Sequence, residues 1–123
     1  VSKIYVSNRT IEKSEKIKFL FKDIEIIKWG ETPIADVIIN GTSLGLKHDD
    51  KIAIDYQKIG QNKLFYDVIY SPSKTNFLKE AESKGNLIEN GKLMFVYQAQ
   101  KAFEIWNNIR PDINDEVLNL LND

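Results

Sequence analysis

The turn Asn8-Arg9-Thr10 closes a short β-rich run, Lys3 to Ser7, and opens a helix-like stretch. Arg9 has the most to offer a ligand: its guanidinium stays protonated and holds several N–H donors in one plane, which matches the oxygens of a phosphate. Asn8 and Thr10 add neutral donors beside it, and Lys13, one helical turn on, adds a second cation. At the end of the second strand of a dinucleotide-binding fold, an Asp or Glu accepts from the ribose 2′-hydroxyl of NAD. No acid stands in this turn, and Arg9 suits the 2′-phosphate of NADP instead. The same residues also read as a helix cap and turn with a solvated Arg, and spacing by itself leaves both readings open.

Two further turns carry polar groups. Asn40-Gly41-Thr42-Ser43-Leu44-Gly45 combines small residues and hydroxyls at the end of an apolar run. Small residues let a flat cofactor approach the backbone, while a plain turn needing glycine dihedrals explains the same composition. The run Tyr66-Asp67-Val68-Ile69-Tyr70-Ser71-Pro72-Ser73-Lys74-Thr75 puts a phenol where a strand meets a proline loop. Tyr70 can hydrogen-bond a polyol or carboxylate, or be a packed ring with its hydroxyl at the surface. Asp67 reads as structural. Gln98 lies among apolar residues of a long helical stretch, and its amide matters only if that helix lines a cleft.

The elements that must hold these turns follow from periodicity. Lys3 to Ser7, Ile24 to Trp29, Ala35 to Asn40 and Leu64 to Tyr70 read as strands, the third buried on both faces. Ile17, Leu20 and Phe21 are spaced for one buried helix face, as are Phe77, Leu78 and Ala81 in a helix from Thr75 to Ser83 that Gly85 stops. Helices over 93–107 and 114–121 complete the chain. Apolar strands interleaved with helices predict an α/β fold, a three-layer, Rossmann-like parallel sheet flanked by helices, because each parallel connection crosses over the sheet. Ligands of such sheets sit beyond the carboxyl ends of the strands, where the three turns lie.

Bulk composition narrows the function. The chain has 123 residues, one domain's worth, with 42% hydrophobic and 28% charged residues and a net charge of −1. This near-neutral balance gives no support for a nucleic-acid or membrane-surface partner. The absence of Cys and the single His argue against disulfides, thiolate chemistry and a Cys- or His-based metal centre. No apolar run approaches the roughly 20 residues that span a bilayer, and a cytoplasmic protein is expected.

Taken in order, Asn8-Arg9-Thr10, Asp36 to Gly45, Tyr66 to Thr75 and Gly91-Lys92-Leu93-Met94-Phe95-Val96-Tyr97-Gln98-Ala99 resemble the C-terminal domain of shikimate dehydrogenases, with Ala102-Phe103 and Trp106 in keeping. The resemblance covers essentially the whole chain. It implies an NADP-dependent oxidoreductase interconverting 3-dehydroshikimate and shikimate in aromatic amino-acid biosynthesis. It further implies that Asn8, Arg9 and Thr10 hold the 2′-phosphate, with Lys13 where the family usually has a second Arg. Thr42 and Ser43 would lie by the cofactor, Val68 and Gly91 at its nicotinamide end, and Tyr70 and Gln98 at the substrate. Gly41 replaces the family's usual Ala, and Leu93 its second glycine. Lys13 keeps the charge of Arg without its planar fork, which weakens the case for strict NADP selectivity.

The family's catalytic Lys and Asp, in a substrate domain, have no counterpart here, nor do the first strand and glycine-rich pyrophosphate loop of its nucleotide fold. The expectation is therefore a partial NADP-binding domain, 1–123, inactive alone. Its helices 93–107 and 114–121 would return toward the substrate domain. A strand is expected to be missing between those beginning near Lys3 and Ala35, and unpaired edges invite association, so a homodimer through exposed sheet edges is expected. Two other readings stand beside this one: a quinate/shikimate dehydrogenase with relaxed NAD or NADP choice, and a noncatalytic nucleotide-binding or interaction module.

Overall fold

The computed structural model describes residues 1–121. Strands β1 (Ile4–Ser7) and β2 (Ile24–Ile27) flank helix α1 (Ile11–Leu20), followed by β3 (Val37–Asn40), α2 (Tyr56–Ile59), β4 (Leu64–Asp67), α3 (Asn76–Ser83), β5 (Leu87–Glu89), α4 (Lys92–Asn107) and α5 (Asp115–Asn119). Every strand pair is parallel, in a 2-stranded sheet β1-β2 and a 3-stranded sheet β3-β4-β5. This is the α/β class that the sequence pattern predicts. Among the described residues no strand pairs with the second edge of β1 or of β3, so the parallel array is in two pieces.

The core lies under the larger sheet. Alternation places Ile38, Phe65 and Ile88, which are register partners, on one face. Phe65, Phe77, Leu78, Ala81 and Ile59 form a buried cluster there, with Ile38, Ile88 and Tyr56 packed against it. Tyr56 stacks on Phe65 at 5.6 Å, and Phe65 meets Phe77 at 5.3 Å. Helix α3 starts where Thr75 caps the Leu78 amide and ends before Gly85, whose φ is +79°.

Several expectations need correction. Strand β3 is not buried on both faces, because Val37 and Ile39 on its second face are 51% and 63% exposed. The apolar spacing in α1 does not mark a buried face: Ile17, Leu20 and Phe21 are all exposed, and the residue this helix buries is Ser14. Strand β4 stops at Asp67 rather than Tyr70, because the Ile69 amide turns to the Asp67 carboxylate at 3.0 Å instead of continuing the ladder. Strand β2 likewise stops at Ile27, and the Lys28 amide bonds to the Glu31 carboxylate.

Candidate functional site

Asn40 and Asp67 end neighbouring parallel strands as register partners, and both are buried. The Asn40 amide donates to Asp67 Oδ1 at 3.0 Å and to the Leu44 carbonyl at 2.9 Å. Its Oδ1 accepts from the Thr42 amide and hydroxyl at 3.0 and 2.8 Å, and Thr42 Oγ1 in turn accepts from the Leu44 amide. The Thr42 hydroxyl is thus committed within the turn, whereas Ser43 is exposed. Gly45 completes the bend at φ +124°, and a Cβ there would stand 3.1 Å from both Ile69 and Thr75 side-chain carbons. Asp50 braces the loop by accepting from the Gly45 and Lys47 amides, both at 3.0 Å, and these bonds hold its carboxyl below the usual carboxylate range.

The turn after β4 is built on the same carboxylate. Asp67 accepts from the Ile69 amide and, through Oδ2, from the Thr75 hydroxyl at 2.6 Å. The half-buried Val68 donates its amide to the Asn40 carbonyl at 3.1 Å. Tyr70 lies flat on Phe95 of α4, ring centroids 4.5 Å apart and planes 27° from parallel. Gly91, buried at the start of α4, packs its α-carbon against the Val68 carbonyl. Thr42, Ser43, Val68, Tyr70 and Gly91 are therefore brought to one end of the larger sheet. Gln98 is exposed on α4, one helical turn beyond Phe95.

Asn8, Arg9 and Thr10 form the turn between β1 and α1 of the smaller sheet, and Lys13 lies in the first turn of α1. Asn8 Oδ1 accepts from the Thr10 amide at 2.8 Å, so the turn-forming reading holds for Asn8. Arg9 and Lys13 are exposed, and among the described residues neither has an ion-pair partner. An exposed guanidinium in the turn after β1 and an exposed ammonium four residues on, in α1, are chemically suited to a phosphate dianion.

Two cavities lie away from the larger sheet's carboxyl end. One, of about 550 Å³, is lined by Tyr56, Gly60, Glu82 and Lys84 near the start of β4, the opposite end of the sheet. The other, of about 440 Å³, is lined by Ile27, Gly30, Thr32, Pro33, Asp55 and Lys58. Polar convergence, not cavity size, marks the candidate site, because open parallel sheets bind ligands at their strands' carboxyl ends. Among the described residues no cluster of His, Cys, Asp and Glu is placed to hold a metal ion, and no helix is long and apolar enough to cross a membrane.

No protein-family model matches the chain. A shikimate dehydrogenase (NADP(+)) of Pelagibacter ubique is 58% identical over 121 residues, covering 98% of this chain and 46% of that protein. The chain is related to the shikimate dehydrogenases. A second shikimate dehydrogenase (NADP(+)), from Caldicellulosiruptor bescii, is 43% identical over 128 residues, covering 94% of this chain and 44% of that protein. Among solved structures, shikimate dehydrogenase from Aquifex aeolicus superposes with a TM-score of 0.79 at 32% identity, covering 97% of this chain and 44% of that one. The ligand-free 5-ketofructose reductase of Gluconobacter sp. strain CHM43 gives 0.81 at 27% identity, covering 98% and 47% of the two chains. The chain spans about half the length of the curated shikimate dehydrogenases it matches. The resemblance read from the ordered motifs is borne out, and so is the Rossmann-like fold.

Reading the sequence as a shikimate dehydrogenase relative still leaves gaps. Asn40 and Phe95 are not singled out by their residue types, and Asp67 reads as a structural acid. The available signal is that Asn40 ends one apolar run and Asp67 interrupts another, Leu64 to Tyr70, and the folded sheet brings the two together.

Proposed function

We propose that this chain is the cofactor-holding part of an NADP-dependent shikimate dehydrogenase, which interconverts 3-dehydroshikimate and shikimate. The observation that carries the reading is Arg9: an exposed guanidinium at the carboxyl end of β1, in a turn without an acid, with no ion-pair partner among the described residues. The naming of the Pelagibacter ubique relative as NADP(+)-dependent supports the same cofactor. Arg9 and Lys13 would take the 2′-phosphate, with Asn8 and Thr10 shaping the turn. Thr42, Ser43, Val68 and Gly91 would border the cofactor, and Tyr70 and Gln98 the substrate. When bound, the reduced cofactor supplies the hydride that turns the substrate ketone into an alcohol. The part played by these residues is orientation, which by itself carries a large share of catalysis.

The same reading makes the cytoplasm the site of action. In the chain by itself, the strand edges of β1 and β3 that lack partners among the described residues support a homodimer in which a second copy covers them, whereas in a whole dehydrogenase the strand expected between them would pair with both. Sedimentation of the chain by itself checks that point: one copy per particle contradicts it.

The activity is tested by following oxidation of shikimate and of quinate by the intact protein, each with NADP and with NAD. Turnover of shikimate with NADP well above the other combinations is expected. Comparable use of quinate or NAD would favour the relaxed quinate/shikimate enzyme, and no turnover of any combination would leave a nucleotide-binding module.

A further inference from the structure

The carboxylate of Asp67 is fully buried, yet among the described residues it has no ion-pair partner. Its contacts are hydrogen bonds from the Asn40 amide, the Ile69 amide and the Thr75 hydroxyl. An acceptor-only carboxylate satisfies all of these donors, and an amide side chain does not: it would turn an NH2 group toward one of them. An amide at this position would have to reverse the Thr75 bond, so that the hydroxyl, which already accepts from the Leu78 amide at 3.4 Å, accepts a second time and its own proton loses the Oδ2 acceptor. Burying a carboxylate without a counter-charge is costly, and a fold that needed only packing here would do better with an apolar residue. The position of the carboxylate suggests what it gives in return. Through Asn40 it is bonded to the Thr42–Leu44 turn, through Ile69 to the Val68–Tyr70 turn, and through Thr75 to the start of α3.

We propose that Asp67 is a positioning residue that locks the Thr42–Ser43 turn and the Val68–Tyr70 turn into one rigid unit. The lock itself rests on the hydrogen bonds. Its consequence, that cofactor and substrate contacts are set together, rests on the proposed dehydrogenase function. Asp67 touches neither ligand in this account and acts through Asn40, Ile69 and Thr75. Such support is what holds a binding constellation to within a fraction of an ångström.

The test uses the intact protein with Asp67→Asn and two variants of its partner, Thr75→Ser and Thr75→Val. Asp67→Asn should raise KM for NADP and KM for shikimate together, each by about tenfold, the effect of losing one or two hydrogen bonds. Amide hydrogen exchange at Thr42, Leu44 and Ile69 should quicken together while Phe65 and Ala81 keep their protection. Thr75→Ser, which retains the hydroxyl, should match the parent. A fall in kcat with both KM values unchanged, or faster exchange throughout the core, would mean a merely structural carboxylate and overturn the proposal. Faster exchange at Ile69 alone would mean that the turns are independent, with the same result. If Asp67→Asn does not fold, Thr75→Val decides: quickened exchange at both turns supports the lock, and unchanged Thr42 and Leu44 amides overturn it. If the parent shows no shikimate turnover, the dehydrogenase reading fails while the exchange pattern still decides the lock.

Discussion

Gly91 sits so close to Val68 that a Cβ built on it would overlap the Val68 carbonyl group, and its own amide donates to the neighbouring Ile69 carbonyl at 3.1 Å. The need for glycine here is space, since its φ of −77° is open to any residue. Gly91→Ala should destabilise the protein by about 1–3 kcal/mol, the range for overpacking a tight contact. Thermal unfolding reads this directly, and an unchanged Tm would show that the junction yields without cost.

Tyr70 gains its orientation from Phe95. Phe95→Leu removes the stacked ring while keeping an apolar side chain, and aromatic pairs contribute about 0.5–1.5 kcal/mol beyond area burial. The expected result is a rise of a few-fold in KM for shikimate with KM for NADP unchanged. Equal rises in both would place Tyr70 outside the substrate contact.

Ser14 is fully buried in α1, and among the described residues its hydroxyl has no hydrogen-bond partner. A buried polar group without a partner costs stability, and Ala is the better helix former. Ser14→Ala should therefore stabilise the fold by about 1 kcal/mol in chemical denaturation. A loss of stability would reveal a bond formed by that hydroxyl in solution.

Asp50 makes part of the fold acid-sensitive. The Gly45 and Lys47 amides hold its carboxyl below the ordinary value of 3.8, so the unfolded chain takes up this proton at higher pH than the folded one. Its stabilisation is complete above the ordinary value and is lost as the pH falls through the lower, folded-state value. Asp36, lowered by its bond to Lys63, adds a slope of the same sign. Asp50→Asn should flatten, without abolishing, the fall of Tm with acidification, and an unchanged slope would remove Asp50 from the account.

How far the sequence carries this reading varies from element to element. Helix α3 is legible because Phe77, Leu78 and Ala81 recur at helical spacing between a capping Thr75 and a terminating Gly85, and all of them are buried. The same spacing misleads in α1, since periodicity shows that Ile17, Leu20 and Phe21 share a side of the helix but cannot show that anything covers it. Strands α/β sheets bury on both faces look alike in sequence to β3, whose Val37 and Ile39 stay exposed. Strand β5 and helix α2, with 3 and 4 residues, are too short to leave a period. At the site, Arg9 stands out by residue type alone. Asp67 does not, because its meaning depends on Asn40, 27 positions earlier, and on a register that only the folded sheet reveals.

The central claim, that the β1 turn selects NADP through Arg9, is tested most directly by calorimetric titration of the intact protein and its Arg9→Ala variant with NADP and with NAD. Removing a charge-assisted phosphate contact should weaken NADP by about tenfold or more while leaving NAD nearly unchanged. Equal weakening of both cofactors, or none, would contradict the assignment of Arg9 to the 2′-phosphate.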